Sequence, residues 1–152
     1  MKNRAQLYKF SDGRNFRNRA ADEVFNEIYD RKAWNVKTFE SVSGEGSSLA
    51  QTAALIGQLP PVLKRLGIKS VLDIPCGDFN WMQHVPMPGV HYTGADIVAS
   101  LVETNRSKYG SEHRRFISVN LLTDALPAAG LIFCRDCLVH FSFRDIQLAL
   151  QN

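Results

Sequence analysis

Between Ala20 and Ala33 apolar residues recur every three or four positions, placing Val24, Phe25, Ile28 and Tyr29 on one face. Asp22 and Glu23 come early in this stretch and Arg31 and Lys32 late, which suits a helix dipole, so the spacing predicts an amphipathic helix over 20–33. Trp34 and Phe39 then lead into a small-residue stretch, Ser43 to Ser48. It reads either as a loop folded over a ligand or as a flexible connector. Leu49 to Leu59 is helical in pattern; Pro60-Pro61 is expected to break or restart the helix, and Val62 to Leu66 to add a turn closed by Gly67.

Beyond Gly67 the pattern changes to short apolar runs. Val71-Leu72 running into Asp73, Val90 to Ile97, Arg115 to Val119 and Leu131 to Cys134 read as four buried strands. Pro75 and Gly77 end the first in a tight turn, after which Asp78 and Asn80 can open a helix carrying Trp81 and Met82 as core residues. Ala99 to Tyr109, stopped by Gly110, is a helix between the second and third strands. Ser142, three residues before Asp145, is a capping pattern for a last helix with Ile146, Leu148 and Leu150. Strands alternating with helices argue for α/β architecture, a parallel sheet covered on both faces.

Composition narrows the setting. At 152 residues with 45% hydrophobic content, one domain with a self-sufficient core is expected over 20–152. Residues 1–19 read as a basic, flexible arm: Lys2, Arg4, Lys9, Arg14, Arg17 and Arg19 stand against the single acid Asp12, leaving the remainder slightly acidic. No aromatic-rich module accompanies these charges, so nucleic acid is not the expected partner. No apolar run approaches the roughly 20 residues that cross a bilayer, and the basic start lacks a signal-peptide core; a cytoplasmic protein with no membrane partner is expected. Three cysteines, Cys76, Cys134 and Cys137, are too few for a disulfide framework. Cys134-Arg135-Asp136-Cys137 has the C-x-x-C spacing of redox sites, but Cys134 falls in the fourth apolar run and is expected to be buried and inert. His84, His91 and His113 are scattered without ligand spacing, so no metal is expected.

Candidate chemistry collects at the strand ends. In a parallel sheet all strand C-termini share one edge, which brings Asp73, Asp96, Asn120 and Asp136 around one crevice. Asp96, 19 residues beyond Gly77, is placed to accept both hydroxyls of a ribose. Asp73, at the first strand's tip, can receive the ammonium of an amino-acid moiety, directly or through water. His140 and Asp136 compete as a general base, the imidazole being titratable near neutral pH. An NAD-dependent oxidoreductase is a weaker reading, since no G-x-G-x-x-G follows the first strand.

These residues resemble the class I S-adenosylmethionine-dependent methyltransferases. In that family the first strand is followed by acid-x-Gly-x-Gly-x-Gly; here it is Asp73-Ile74-Pro75-Cys76-Gly77-Asp78-Phe79, which keeps the acid and the middle glycine. Asp96 stands at the family's ribose-binding position and Asn120 where many members contact the adenine amino group. Cys134 to Ser142 resembles the segment that faces the methyl acceptor. A bacterial subset with D-x-P-C-G-D-F-x-W-M and an upstream S-G-x-G-S-S is more similar still. The resemblance implies a Rossmann-like sheet of about four strands, order 3-2-1-4, flanked by helices with an N-terminal helical extension. It implies S-adenosylmethionine as cofactor, held by Asp73, Pro75, Gly77, Asp96, Ile97, Asn120 and Leu121. It implies methyl transfer to an oxygen or nitrogen of a small molecule or glycan precursor. The alternative is a truncated, inactive domain that binds S-adenosylmethionine or a partner. Family sheets have seven strands, so ending after the fourth leaves an open edge at which self-association or low stability is expected. Pro75 removes an N–H and Phe79 adds a ring where the family has glycine, so a turn of different shape is expected.

Overall fold

A computed structural model describes residues 19–34 and 40–152. Most of the basic arm, and Phe39, lie outside the described residues. Arg19 is inside them and is tied to the first helix, its guanidinium 2.6 Å from Glu27 and 3.6 Å from Glu23.

Strands β1 (Ser70–Asp73), β2 (His91–Asp96), β3 (Arg114–Ser118) and β4 (Leu131–Phe133) form one parallel sheet in the order β3-β2-β1-β4. The topology is the one expected. Alternation along the strands divides the core between two faces: Val71, Tyr92 and Phe116 join Leu63, Phe79 and Met82 on one, while Leu72, Ala95 and Leu121 join Ile74 and Ala149 on the other. Trp81 and Met82 are core residues, as their composition predicts.

Four α-helices accompany the sheet among the described residues: α1 (Ala21–Asp30), α2 (Leu49–Arg65), α3 (Ala99–Tyr109) and α4 (Phe143–Gln151). Helix α1 stops three residues short of its apolar pattern. Lys32 adopts φ +50, and the N–H groups of Lys32 and Ala33 donate to the carbonyls of Tyr29 and Ile28, a Schellman closure made without the usual glycine. Helix α2 closes in the same way with Gly67 at φ +65. It also runs unbroken through Pro60 and Pro61, contrary to the expected interruption. Leu55, Ile56, Leu59 and Leu63 dock on the core from both sides of the prolines, so packing holds the axis that the lost N–H donors would weaken.

Two further expectations fail. No α-helix links β1 to β2; residues 74–90 are turns around a short 3-10 segment, Met82–His84. Phe79 at φ +59 cannot continue a helix, and the Asp78 carboxylate, which accepts the Asn80 N–H at 3.3 Å, is also held by the Val42 N–H at 2.8 Å. The outer strands are also less buried than their composition implies. β4 pairs only with β1 among the described residues, and Ile132 is 52% exposed. No helix among the described residues is long and apolar enough to cross a membrane.

Candidate functional site

The C-terminal ends of the four strands open on one cavity of about 410 Å³, within the range of small-molecule sites. Asp73, Pro75, Gly77, Asp96, Ile97, Asn120, Leu121, Asp136 and His140 all line it. The structure therefore brings together every residue singled out in the sequence as a site candidate.

The turn after β1 forms the cavity floor and is stitched to three elements. Ile74 N–H donates to the Phe133 carbonyl of β4 at 2.9 Å and Cys76 N–H to the Ala95 carbonyl of β2 at 2.8 Å. Buried Asn105, from α3, donates to the Gly77 carbonyl at 2.7 Å. Phe79, standing where a glycine is expected, keeps a glycine-type backbone conformation and turns its ring away from the cavity. The ring is 1% exposed, sits among Tyr92, Tyr109 and Phe116, and lies 4.9 Å beneath the Arg114 guanidinium. Aromatic packing holds it in the left-handed region, where a side chain is strained.

Asp73 and Asp96 are the last residues of the two central strands, both buried, with Asp73 paired to Gly94 two residues before Asp96. Tyr92 Oη donates to Asp73 at 2.6 Å. Burial pushes the Asp73 carboxyl up to about 7; the tyrosine bond opposes this and the Asp96 charge adds to it. Asp96 is raised as well, again chiefly by burial, and is steadied by N–H donors from Val98 and Gly77, both at 3.0 Å. That second bond ties the first turn to the second strand and fixes the carboxylate in the cavity wall. Asn120 is half-buried, and its Oδ1 accepts the Leu122 N–H at 2.9 Å.

The opposite wall is assembled from segments far apart in sequence. The 41–48 loop is drawn over the first turn by Asp78, which accepts from Ser41 Oγ at 3.0 Å, Val42 N–H at 2.8 Å and Ser43 Oγ at 3.3 Å. Asp78 N–H donates back to Ser43 Oγ at 2.9 Å. Gly77, at φ +55, allows this approach: a Cβ there would lie 2.3 Å from Ser43 Oγ. Across the cavity Arg135 donates to the Gly46 carbonyl at 3.0 Å, and a Cβ on Gly46 would lie 2.9 Å from the Asp136 carboxylate. The loop is thus bonded to both sides of the crevice, with Ser43 to Ser47 in its lining.

His140 lies on a 3-10 turn, Leu138–His140. Trp34 stacks on its ring at 5.3 Å and Phe25 of α1 meets both rings edge-on or tilted, so Trp34 anchors the N-terminal helix to the site. Partial burial lowers the His140 pKa, against the pull of the Asp136 charge. Asp136 is exposed, adopts φ +52 and pairs with Arg135 at 3.0 Å. Sequence reasoning missed Phe25 and Tyr29 as lining residues; Ser43, Arg135 and Phe141, also in the lining, belong to segments it had set beside a ligand without naming them singly. The S-G-E-G-S-S spacing hinted at the loop, but nothing local linked Ser41 to Ser43 with Asp78.

No protein-family model matches the chain, and no curated protein matches it. Solved structures do. The methyltransferase domain of bacterial CtHen1 is 18% identical with a TM-score of 0.55, over 67% of this chain and 57% of that one. The S-adenosylmethionine-dependent methyltransferase SibL in its apo form is 23% identical with a TM-score of 0.57, over 81% and 37%. Magnesium protoporphyrin IX methyltransferase from Synechocystis PCC 6803 with bound SAM is 14% identical with a TM-score of 0.58, over 85% and 66%. The chain has the fold of the class I methyltransferases and spans 37–66% of the lengths of these three.

Proposed function

We propose that the chain is an S-adenosylmethionine-dependent methyltransferase acting on an oxygen or nitrogen of a small molecule or glycan precursor. The observation that carries this reading is the convergence of buried Asp73 and Asp96, with Gly77 and Asn120, on one cavity at the strand ends of this fold. The residues suit the cofactor. As a carboxylate, Asp73 would receive an ammonium; Asp96, already oriented by two N–H donors, would accept ribose hydroxyls. Ile97 and Leu121 supply apolar surface for a base, with Asn120 beside them. When bound, the cofactor supplies an activated methyl group and its own leaving group.

The protein's remaining work is to align the acceptor, exclude water and take a proton. The 41–48 loop and the aromatic residues of 25–34 cover the acceptor side. With its pKa lowered by burial, His140 is neutral at physiological pH, the state in which an imidazole accepts a proton. A second reading, cofactor binding without turnover, is favoured by one observation: Asp136 is paired with Arg135 while His140 is held in the Trp34 stack.

Titration calorimetry tests the first reading. S-adenosylhomocysteine is expected to bind the folded chain, and Asp96→Ala to weaken binding by about 100-fold or more, since the ribose hydroxyls lose their charged acceptor. Absence of binding to folded wild-type protein removes both readings. Binding without methyl transfer to any oxygen or nitrogen acceptor leaves the second.

A further inference from the structure

The segment leaving β4 carries two thiols that methyl transfer does not use. Cys134 directly follows β4 and is exposed, whereas Cys137 is buried and begins the turn that leads to His140. The expectation of an inert, buried Cys134 fails because β4 ends one residue early and lies at the sheet edge, where its side chains are only half-covered. Between the cysteines, Asp136 at φ +52 folds the chain back on itself. Exposed Cys134 and buried Cys137 thus flank one reversal of the chain; the neighbouring Cys137 thiol draws the Cys134 thiol down to about 7, while Cys134 and burial push the Cys137 thiol up. An exposed acidic thiol beside a buried one of high proton affinity is the division of labour between an attacking and a resolving cysteine. Among the described residues no group of three His, Cys, Asp or Glu side chains is placed to hold a metal ion.

We propose that Cys134 and Cys137 form a reversible dithiol–disulfide pair, with Cys134 as the thiol that an external low-molecular-weight disulfide meets first. The Cys134 thiolate attacks one sulfur of oxidised glutathione, breaking its S–S bond, forming a mixed disulfide and releasing one glutathione thiolate. Cys137 gives up its proton and attacks the Cys134 sulfur, forming the intramolecular bond and expelling the second glutathione thiolate. The protein dithiol is oxidised by two electrons and one oxidised glutathione is reduced; the two cysteine protons pass to the two glutathione thiolates. The ring so closed contains Arg135 and Asp136, the residues that touch Gly46 across the cavity. The proposal stands on the two thiols and not on the methyltransferase reading.

The test is exposure of the full chain to oxidised glutathione at about pH 7.5, where a thiol of this acidity is largely ionised, followed by alkylation in denaturant and mass spectrometry. Of the three cysteines, only Cys76 is expected to be alkylated in the wild type, with recovery of the others after dithiothreitol. Cys137→Ser is expected to trap one glutathione on Cys134, and Cys134→Ser to take up none. The wild-type tryptic map decides the matter even if a variant misfolds: trypsin cuts after Arg135, so the disulfide joins two peptides. Full alkylation of all three cysteines after exposure, absence of the joined peptides, or glutathione on Cys137 in a folded Cys134→Ser overturns the proposal.

Discussion

Around the cavity, the wall at β1 and β2 differs from the wall at β4 in how its functional groups are held. Asp73 and Asp96 are buried on paired central strands, and their hydrogen-bond partners, Tyr92, Gly77 and Val98, belong to those strands or the turns that leave them. Asp136 is exposed and His140 half-buried on an edge segment; what surrounds them comes from α1, Trp34 and the 41–48 loop. Paired strands and the turns that leave them hold the first wall, and side-chain contacts between distant segments hold the second. A cofactor common to a fold suits the first arrangement. An acceptor that differs from one protein to another suits the second, since the contacts can vary without disturbing the sheet.

If this division is right, substitutions on the two walls separate binding from turnover. The largest effect expected is on His140→Ala, which should lower kcat by about 100-fold or more while changing S-adenosylhomocysteine affinity by less than about threefold. Burial lowers the His140 pKa, so the acid limb of the kcat profile should lie below the ordinary histidine range. A parallel loss of affinity would mean that the walls act as one unit.

Gly77→Ala probes the joint between them. The new Cβ would meet Ser43 Oγ at 2.3 Å in a left-handed backbone, and urea denaturation should register a loss of about 2 kcal/mol. Loss of affinity should accompany it, because Gly77 N–H also holds Asp96.

A third test concerns the cost of burying Asp73. Its carboxyl titrates near 4 in an unfolded chain and at about 7 in the fold. Below pH 4 both states hold the proton. Between 4 and 7 only the folded state does, so the contribution of this carboxyl to stability is fullest at low pH and is lost as pH rises through 7. Asp73→Asn should decline less steeply, keeping only the contribution of Asp96, which burial also raises, and exceed the wild type at pH 8 by on the order of 2 kcal/mol in urea denaturation, while binding S-adenosylhomocysteine more weakly. Equal pH slopes in the two proteins would place the titration elsewhere. The smallest effect serves as a control: Gly57→Ala on α2, where a Cβ meets nothing within 4 Å, should stabilise by roughly 0.5–1 kcal/mol and leave binding unchanged.

How much could be read in advance follows from the same contrast. Strand positions, the helix over Ala99–Tyr109 and the strand-end residues Asp73, Asp96 and Asn120 were legible because each depends on period, turn chemistry and parallel topology, which neighbouring residues encode. Chain order then placed those residues on one edge. Pro60 and Pro61 misled because local breaking signals carry no information about Leu59 and Leu63 packing on the core. Asp78 misled for a related reason. As a capping residue it suggested a helix, whereas its carboxylate serves Ser41, Val42 and Ser43, more than thirty residues upstream. Cys134 read as buried because composition does not distinguish an edge strand from a central one.

The amino-acid sequence alone therefore determined the alternation of elements, the irregular first turn at Pro75 and Phe79, and the identity of the polar groups at the strand ends. Tertiary structure decided which distant segments close over them: the loop clamped by Asp78 and Arg135, and the Trp34 stack on His140. The reason is physical. Period and turn signals act over a few residues, while a hydrogen bond from Ser41 to Asp78, or a ring placed on another ring, exists only after the sheet has brought these separate segments to the same edge.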